Sequence, residues 1–284
     1  MCRFILYRGS EITLSSLITE PSNSLIHQSF HSHEREEPLN GDGFGVAWYV
    51  PEMSDQPALF SAVTPAWNNT NLRYLARVTK SPCVLAHIRA ATPGLPVTRL
   101  NCHPFLWGPF AFMHNGHVGG FQTLRRRLLE RLSDEAFSLI GGSTDSETVF
   151  ALFVDHYRRL DHEDPAEKLA LALAGAIDEV EELRREAGVE QDSQLNFAVS
   201  DGRAAVVSRF SSGAPGTAPS LYVHKGSRFV CLEDSYCMVD PDFGHGAVIV
   251  ASERLSGDPY WHRVKSNHLV VVREDLDVEL RPLE

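Results

Sequence analysis

The order of strand-like and helix-like segments is the feature that most constrains the fold of this chain. Apolar runs rich in Val, Phe and Tyr, which are typical of β-strands, flank a central block with helical periodicity. The helices do not alternate with the strands as βαβ units require, so the sequence predicts an α+β fold instead of a parallel doubly wound sheet. We expect strands at residues 45–50, 83–91, 110–114, 195–200, 204–210, 247–251 and 269–273, and helices at 123–132, 145–160 and 167–186.

Two local signals sharpen this pattern. Asp201-Gly202 lies between two strand-like runs and is typical of a hairpin turn, so residues 195–200 and 203–210 should pair antiparallel. Thr144, followed three residues later by Glu147, matches a capping box and predicts the start of the second helix. The Ser, Gly and Pro-rich stretch 211–220 is expected to be an exposed loop, because strand-like runs continue on both sides of it.

Length and composition allow one large globular domain or two small ones, and because no stretch reads as a convincing linker, the sequence predicts one enzyme-sized domain spanning residues 2–284. Its 284 residues are 43% hydrophobic and 22% charged, which is enough apolar sequence for a substantial core. The formal net charge of −11 comes without a basic stripe, and the triplet 125–127 (RRR) is expected to face water on a helix. The charge therefore argues against nucleic acid and anionic membranes as partners.

Targeting and cysteine usage predict a cytoplasmic protein. The apolar run near the N-terminus is too short for a secretory signal, and no stretch approaches the length of a membrane span. The five cysteines form no disulfide framework, so free thiols in a reducing compartment are expected.

The sequence predicts no cofactor and no metal. The segment 40–45 (NGDGFG) has G-x-G-x-G spacing and leads into a strand, so it does not match a dinucleotide-binding loop; a tight turn or a close backbone approach to a ligand both stay open. Zinc was weighed at 101–104 (NCHP), at 114–117 (HNGH) and at Cys231 with Cys237, but the spacing is wrong for a zinc knuckle. A G-x-S-x-G nucleophile elbow is also absent from the sequence.

Cys2 is the strongest candidate for a reactive group. If Met1 is removed, the thiol and the α-amino group belong to one N-terminal residue, and an amine with a reference pKa of roughly 7.7–8.0 can act as the base for the thiol. Cys2 would then supply both nucleophile and base. Taken alone, a cysteine at this position is better explained as the first residue of an ordinary strand through residues 2–7.

Two further segments could serve a nucleophilic Cys2. Asn115-Gly116 follows a strand, and it predicts either a simple turn or an oxyanion hole built from the Asn side-chain amide and the Gly backbone N–H. Arg89 ends an otherwise apolar strand, so its guanidinium needs an acidic partner or an anionic ligand.

Six short motifs follow one another along the first half of the chain. They are 1–4 (MCRF), 40–45 (NGDGFG), 87–92 (HIRAAT), 101–105 (NCHPF), 114–116 (HNG) and 143–147 (STDSE). In this order they resemble the motifs of the class II glutamine amidotransferases, which are N-terminal-nucleophile hydrolases. Two later segments, 195–202 (LNFAVSDG) and 248–253 (VIVASE), are similar to the stand-alone members, including the bacterial YafJ type and the amidotransferase subunit of the fungal glutathione-degradation complex.

The resemblance implies a four-layer αββα sandwich with two packed antiparallel sheets, and it implies roles for matching residues. Cys2 would attack the γ-carbonyl of glutamine or of a γ-glutamyl compound, and its α-amine would move the proton. Asn115 and the backbone N–H of Gly116 would hold the oxyanion. The remaining roles are binding roles: Arg89 for the substrate α-carboxylate, Asp145 for its α-ammonium group, and Thr92 and His103 for lining or supporting the pocket.

The chain departs from the family pattern at Ala90, where a Trp often follows the motif's Arg, so the pocket wall beside Arg89 must be built differently. Three hypotheses stay open. The protein is a glutaminase or amidotransferase that passes ammonia to a separate acceptor; it hydrolyses a γ-glutamyl peptide of the glutathione type together with a partner; or it is a non-catalytic ligand-binding protein that retains Met1.

Overall fold

Two antiparallel sheets form the centre of the molecule. The computed structural model describes residues 2–34, 39–91, 96–214, 216–241 and 246–283. Within these residues, one sheet has seven strands, the other has six, and a separate two-stranded hairpin lies beside the first. The fifteen strands are β1 Arg3–Thr13, β2 Phe44–Trp48, β3 Ala58–Ala62, β4 Lys80–Ile88, β5 Phe105–Trp107, β6 Phe110–His117, β7 Gln194–Ser200, β8 Ala205–Arg209, β9 Tyr222–Gly226, β10 Arg228–Leu232, β11 Ser235–Val239, β12 Ala247–Ala251, β13 His262–Arg263, β14 His268–Val272 and β15 Val278–Pro282.

Seven α-helices are described, and the long ones lie in the middle of the chain. They are α1 Ser15–Ile18, α2 Leu25–Gln28, α3 Thr70–Val78, α4 Phe121–Arg131, α5 Asp134–Phe137, α6 Asp145–Arg159 and α7 Pro165–Glu186. Two short 3₁₀ helices, Ala66–Asn68 and Arg99–Asn101, precede α3 and β5.

The strand orders place the chain's first strand in the middle of a sheet. The first sheet runs β13-β9-β12-β1-β4-β2-β3, and the second runs β15-β14-β8-β7-β6-β5. Every described strand pair is antiparallel. Because β1 has three neighbours on either side, its N-terminal end is held by both β12 and β4.

Alternation along the strands separates three apolar cores. Phe4 and Leu6 of β1 face Ala111 and Met113 of β6 in a core between the two sheets. The intervening residues of β1, such as Ile5, pack outward against α1 to α3. The outer face of the second sheet, including Phe112 of β6, packs against α4, α6 and α7. The layers are therefore helix, sheet, sheet and helix, as the sequence analysis expected.

The predicted elements are confirmed with small shifts of their ends. All seven expected strands and all three expected helices are present. β7 and β8 pair antiparallel, but the turn between them spans residues 201–204, with the Asp201 carboxylate accepting hydrogen bonds from the backbone N–H groups of Arg203 and Ala204. A side-chain bond to nearby backbone is typical of Asp in turns.

One of the two hydrogen bonds of the capping box predicted at the start of α6 is confirmed. The Thr144 hydroxyl accepts a hydrogen bond from the Glu147 N–H at 3.2 Å, as predicted. Glu147 does not return to the Thr144 N–H, because its carboxylate instead accepts from the N–H groups of Gly141 (3.0 Å) and Gly142 (2.7 Å). Those two N–H groups lie in the loop before α6, where no regular structure supplies an acceptor for them. In the described part of the chain, no helix is long and apolar enough to cross a membrane.

Candidate functional site

Three inward-facing rows of side chains end at the same edge of the sandwich. In β1 the row Leu6, Phe4 continues to Cys2, because alternate residues of a strand share a face. β1 pairs with β4 in a register that matches Arg3 with Ile88, so the next pair outward is Cys2 with Arg89. Across the intersheet space, the row Ala111, Met113 of β6 continues to Asn115. The sheet geometry thus directs a thiol, a guanidinium and an amide toward one place.

The Cys2 thiol is half-buried next to the chain segment that follows β4. Its Sγ donates to the Ala90 carbonyl oxygen at 3.7 Å. Beside the thiol, Ala90 therefore contributes its backbone carbonyl and only a small side chain.

A buried ion pair fixes the backbone of Cys2. Arg3 is 1% exposed, and its Nε lies 2.5 Å from the Glu253 carboxylate. Its Nη1 donates to the Cys2 carbonyl at 2.9 Å, and its Nη2 donates to the Ser32 hydroxyl at 3.0 Å. Glu253 also accepts from the Ser32 hydroxyl and from the His33 backbone N–H. Burial alone would raise the pKa of Glu253, but the Arg3 charge and these hydrogen bonds outweigh it and lower that pKa.

Arg89 is buried with one donor group unused. Its Nη1 lies 3.4 Å from the Asp42 carbonyl oxygen, and its Nη2 has no hydrogen-bond partner within the described ranges. A desolvated guanidinium nitrogen without an acceptor is costly, and a ligand carboxylate would satisfy it.

The glycine-rich segment 40–45 is a loop that approaches other backbone closely. The Arg89 N–H donates to the Gly43 carbonyl at 2.8 Å, and the Asp42 carboxylate accepts from the Ala91 N–H at 2.8 Å. Gly43 has φ of +114°, and a Cβ there would lie 2.7 Å from the Cys102 Sγ. The segment is therefore a turn that holds the Arg89 backbone, and a close backbone approach to a ligand stays a prediction.

Asn115 and Gly116 lie inside strand β6, so the turn interpretation is wrong. Both residues pair with β7, at Asn196 and Leu195, and this pairing keeps the chain extended through His117. The Asn115 Nδ2 donates to the Ser252 hydroxyl at 3.4 Å, and its buried Oδ1 has no partner in the described part. Gly116 has φ of +152°, and a Cβ there would lie 1.7 Å from the Gln194 carbonyl oxygen. Only glycine fits at that position.

Ser252 connects Asn115 to the start of β1. Its hydroxyl accepts from the Phe4 N–H at 3.1 Å, and its own N–H donates to the Phe4 carbonyl at 3.0 Å. The amide of Asn115 is therefore bonded to a residue that holds the backbone two positions from Cys2.

Asp145 reaches this region from the helical layer. It is the first residue of α6, and its carboxylate accepts from the N–H groups of Val118 (2.8 Å) and Ser146 (2.7 Å). Ser146 in turn bonds the ring of His114 at 2.8 Å, which places Asp145 beside the end of β6. Among the described residues, no hydrogen bond or ion pair joins Asp145 to Arg89 or to Cys2.

His103 lies behind the edge residues in a histidine stack. It is 4% exposed, its ring centroid is 4.3 Å from that of His87 and 4.5 Å from that of Phe105, and neither of its ring nitrogens has a described partner. His87 bonds the His114 carbonyl oxygen at 3.0 Å. Burial holds the pKa of His103 well below its usual range. This position fits a supporting residue. Thr92 lies outside the described residues.

Arg3, Glu253 and the buried His87 were not predicted from sequence as residues of the site. Arg3 falls within the first motif and Glu253 within the last similar segment, yet only pairing of β1 with β12 brings them together. Cys102 belongs to the motif 101–105, and its thiol lies against the Ala62 and Thr98 carbonyl oxygens at 3.7 and 3.5 Å. Burial raises the pKa of the Cys102 thiol, which makes this thiol a weak nucleophile.

Acid is expected to destabilise the protein through the histidine stack. Burial lowers the pKa of His87 from 6.5 to about 3, so the native state binds fewer protons than the unfolded chain. The stabilising contribution of neutral His87 is complete above pH 6.5 and is lost as the pH falls from 6.5 toward 3. Urea unfolding should give a lower free energy at about pH 5.5 than at about pH 7.5.

His87→Gln is the matched variant, because Gln keeps an N–H donor for the His114 carbonyl and does not titrate. The difference between the two pH values should be smaller in this variant than in the wild type. An equal difference in both proteins would show that His87 does not contribute to acid lability.

Comparison with known proteins agrees with this geometry. The family model described as "Glutamine amidotransferases class-II" matches residues 15–281. The chain is 41% identical to "Probable glutamine amidotransferase DUG3" of Saccharomyces cerevisiae, over 96% of this chain and 82% of that protein. It is 28% identical to "Gamma-glutamyl-hercynylcysteine sulfoxide hydrolase" of Mycolicibacterium smegmatis, over the full length of both.

Solved structures give the same result for the fold. A glutamine aminotransferase class-II domain protein from Silicibacter pomeroyi superposes with a TM-score of 0.67 at 29% identity and covers 99% of both chains. The glutamine phosphoribosylpyrophosphate amidotransferase from B. subtilis superposes with a TM-score of 0.64 at 15% identity, covering all of this chain and 49% of its own, and shows the fold alone.

Proposed function

Because this chain belongs to the class II glutamine amidotransferases, we propose that it hydrolyses the γ-amide of glutamine or of a γ-glutamyl compound with Cys2 as the nucleophile. The observation that carries the proposal is the convergence of Cys2, Arg89 and Asn115 at one edge of the sandwich, where Arg89 has an unused buried donor. A thiol supplies the nucleophile, and an unpaired guanidinium supplies a binding group for a carboxylate.

In the proposed first step, the Cys2 sulfur forms a bond to the γ-carbonyl carbon. The thiol proton passes to the α-amine that Met1 removal exposes, and the carbonyl electron pair moves to oxygen. Collapse of this intermediate breaks the C–N bond, and the leaving nitrogen takes the proton from the amine. Water then attacks the thioester, so that glutamate leaves and the thiol is restored.

Asn115 and Gly116 are proposed to stabilise the oxyanion. The Asn115 Nδ2 has only a long 3.4 Å bond to Ser252, so a developing negative charge can compete for it. A Cβ at position 116 would collide with the Gln194 carbonyl oxygen, so this residue has to be glycine.

The substrate's charged groups are proposed to bind at Arg89 and Asp145. Arg89 pairs with the α-carboxylate through its free Nη2, and Asp145 attracts the α-ammonium group. Asp145 is oriented by the Val118 and Ser146 N–H groups, and it has no cationic partner among the described residues. His103 supports the wall behind these groups, and Thr92 stays a proposed pocket residue.

Asn115→Ala should lower kcat for glutamate release by on the order of 10²–10³-fold, because one oxyanion donor is lost. KM should change little, since the donor acts mainly on the charge that develops in the transition state. Steady-state kinetics on glutamine gives both constants.

Asn68→Ala is the matched control, because Asn68 is an exposed residue of the 3₁₀ helix Ala66–Asn68 and should leave both constants unchanged. An Asn115→Ala protein that is folded and retains wild-type kcat would remove Asn115 from the proposed oxyanion hole.

The physiological substrate is the second part of the proposal. Glutamine is one candidate, with a separate ammonia-accepting enzyme as a partner. A γ-glutamyl conjugate is the other, favoured by the full-length similarity to a protein named as a γ-glutamyl hydrolase. We place the enzyme in the cytoplasm, where thiols stay reduced.

Comparing kcat/KM for glutamine, glutathione and a γ-glutamyl sulfoxide distinguishes these candidates. Asparagine is the negative control, because its shorter chain cannot bring its amide to Cys2 while Arg89 holds the carboxylate. If glutamate appears from none of the three compounds, and intact mass shows that Met1 has been removed, the proposed hydrolase activity is wrong. Retained Met1 would favour the alternative of a non-catalytic binding protein.

A further inference from the structure

Three histidines outside the proposed catalytic site converge at the surface. They are His27, His31 and His33, and their candidate ligand nitrogens all lie within 4.8 Å of one another. Their ring centroids are 5.3 Å (His27 and His31), 6.3 Å (His27 and His33) and 5.0 Å (His31 and His33) apart. Among the described residues, no other group of three or more His, Cys, Asp or Glu side chains converges in this way.

Local backbone structure brings the three rings together. His27 belongs to α2, and the helical turn continues beyond it because the His31 N–H donates to the His27 carbonyl at 2.9 Å. Residues four apart on such a turn share a face, which places His27 and His31 side by side. His33 follows two residues later, after the chain has left the helical turn, and its ring stacks on that of His27.

The segment that carries the histidines is anchored at several points. The Ser29 carbonyl accepts from the Asn40 N–H at 2.7 Å, and the Ser29 hydroxyl donates to the Ile26 carbonyl at 2.5 Å. Buried Ser32 and the His33 N–H both bond Glu253. The backbone is thus held in place, while the imidazoles of His31 and His33 are exposed.

We propose that His27, His31 and His33 form a binding site for a divalent transition metal of the zinc class. Three imidazoles with Zn–N bonds of about 2.0–2.1 Å place their nitrogens about 3.4 Å apart in a tetrahedral site. The present separations, at most 4.8 Å, close to that value by rotation of the two exposed rings. The protein supplies three ligands, and water or an external ligand takes the fourth position.

A carboxylate near the cluster favours a bound cation. Neutral imidazoles offer the lone pairs that a metal needs. The carboxylate of Glu253 interacts favourably with positive charge at His27 and adds to the field that attracts a cation.

This site is separate from the zinc interpretations weighed from sequence, and the proposed hydrolysis does not need it. Its segment is bonded to Glu253, which pairs with Arg3, so a bound metal is expected to stabilise the segment that packs on this ion pair.

Cobalt(II) titration of the metal-free protein tests the proposal. The wild type should bind one equivalent of Co²⁺ with the visible absorption of a tetrahedral site, and Zn²⁺ should displace it and raise Tm. His31→Ala and His33→Ala should each weaken binding by at least tenfold, because a bidentate site replaces a tridentate one. His262→Ala is the matched control, an exposed histidine on β13, and should bind as the wild type does.

An N-terminal cysteine can itself chelate metals through its thiol and amine, so the titration is repeated with Cys2→Ser. Binding that survives Cys2→Ser and is lost in the His31→Ala/His33→Ala double variant supports the histidine site. Binding that is lost in Cys2→Ser, or that is equal in the double variant and the wild type, overturns it. Glutaminase activity enters neither readout, so the outcome is independent of the proposed function.

Discussion

Replacing Cys2 by Ala is expected to lower the rate of glutamate release from glutamine and γ-glutamyl compounds by at least about 10⁴-fold, because the nucleophile is lost. The remaining groups, Arg89, Asn115 and Asp145, can still bind a substrate but cannot form the thioester. The dissociation constant of the substrate should therefore change far less than kcat. The assay is release of glutamate by the purified, metal-free protein, followed over hours.

Cys231→Ala is the matched control for the loss of a thiol. Cys231 is exposed on β10, and its replacement should leave the rate unchanged. A Cys2→Ala protein that retains more than about one-hundredth of the wild-type rate would contradict the thioester mechanism.

Breaking the buried ion pair between Arg3 and Glu253 is expected to have the second largest effect. Both side chains are 1% exposed, and their atoms are 2.5 Å apart. Arg3→Met leaves the Glu253 carboxylate buried with only hydroxyl and backbone donors, which should lower the free energy of unfolding by about 3–5 kcal/mol. Urea denaturation followed by circular dichroism measures this change.

Arg126→Ala is the matched control, because it breaks an ion pair with Glu130 whose side chains are 88% and 60% exposed. Its effect should be within about 0.5 kcal/mol, as is usual for surface pairs. The double variant Arg3→Met/Glu253→Gln should recover part of the lost stability, since Gln keeps an acceptor without a buried charge. Equal stabilities for Arg3→Met and the wild type would contradict the account of this pair.

Acid should also reduce the contribution of the Arg3–Glu253 ion pair to stability. The pKa of Glu253 lies below 4.5 in the folded protein because Arg3 and its hydrogen bonds outweigh burial, so its contribution is complete above pH 4.5 and is lost as the pH falls through the folded value. The difference in unfolding free energy between the wild type and Arg3→Met should therefore shrink as the pH decreases below 4.5.

Local signals predicted the elements that local interactions determine. The N-cap at Thr144 and the Asp201 turn were found from sequence because each depends on side-chain bonds within a few residues. The strands β6 and β8 were also predicted from sequence, because each lies in an apolar run. The layered fold came from the resemblance, not from these signals.

Contacts between distant residues were beyond prediction from the residues alone. Arg3 and Glu253 are 250 positions apart, and an arginine in an apolar strand gives no indication of its partner. Asn115-Gly116 suggested a turn because that dipeptide is common in turns, but pairing with β7 across the sheet overrides the local preference. Glu147 was misassigned for the same reason, because two loop amides compete for its carboxylate.

The candidate site was partly predictable. Cys2, Arg89 and Asn115 were each proposed from sequence, and the structure brings them to one edge through strand register. Asp145 lies at the start of α6 beside β6, and two backbone N–H groups hold its carboxylate there. No contact between described residues joins it to Arg89.

Labelling with a glutamine-analogue electrophile, read by intact mass and peptide mapping, tests the central claim most directly. The account predicts a protein that lacks one methionine and gains one adduct, with the adduct on the thiol of an N-terminal peptide that begins at Cys2. Prior incubation with glutamine should slow the labelling. An adduct on Cys102 or another residue, or full activity in protein that retains Met1, would contradict the assignment of Cys2 as the nucleophile.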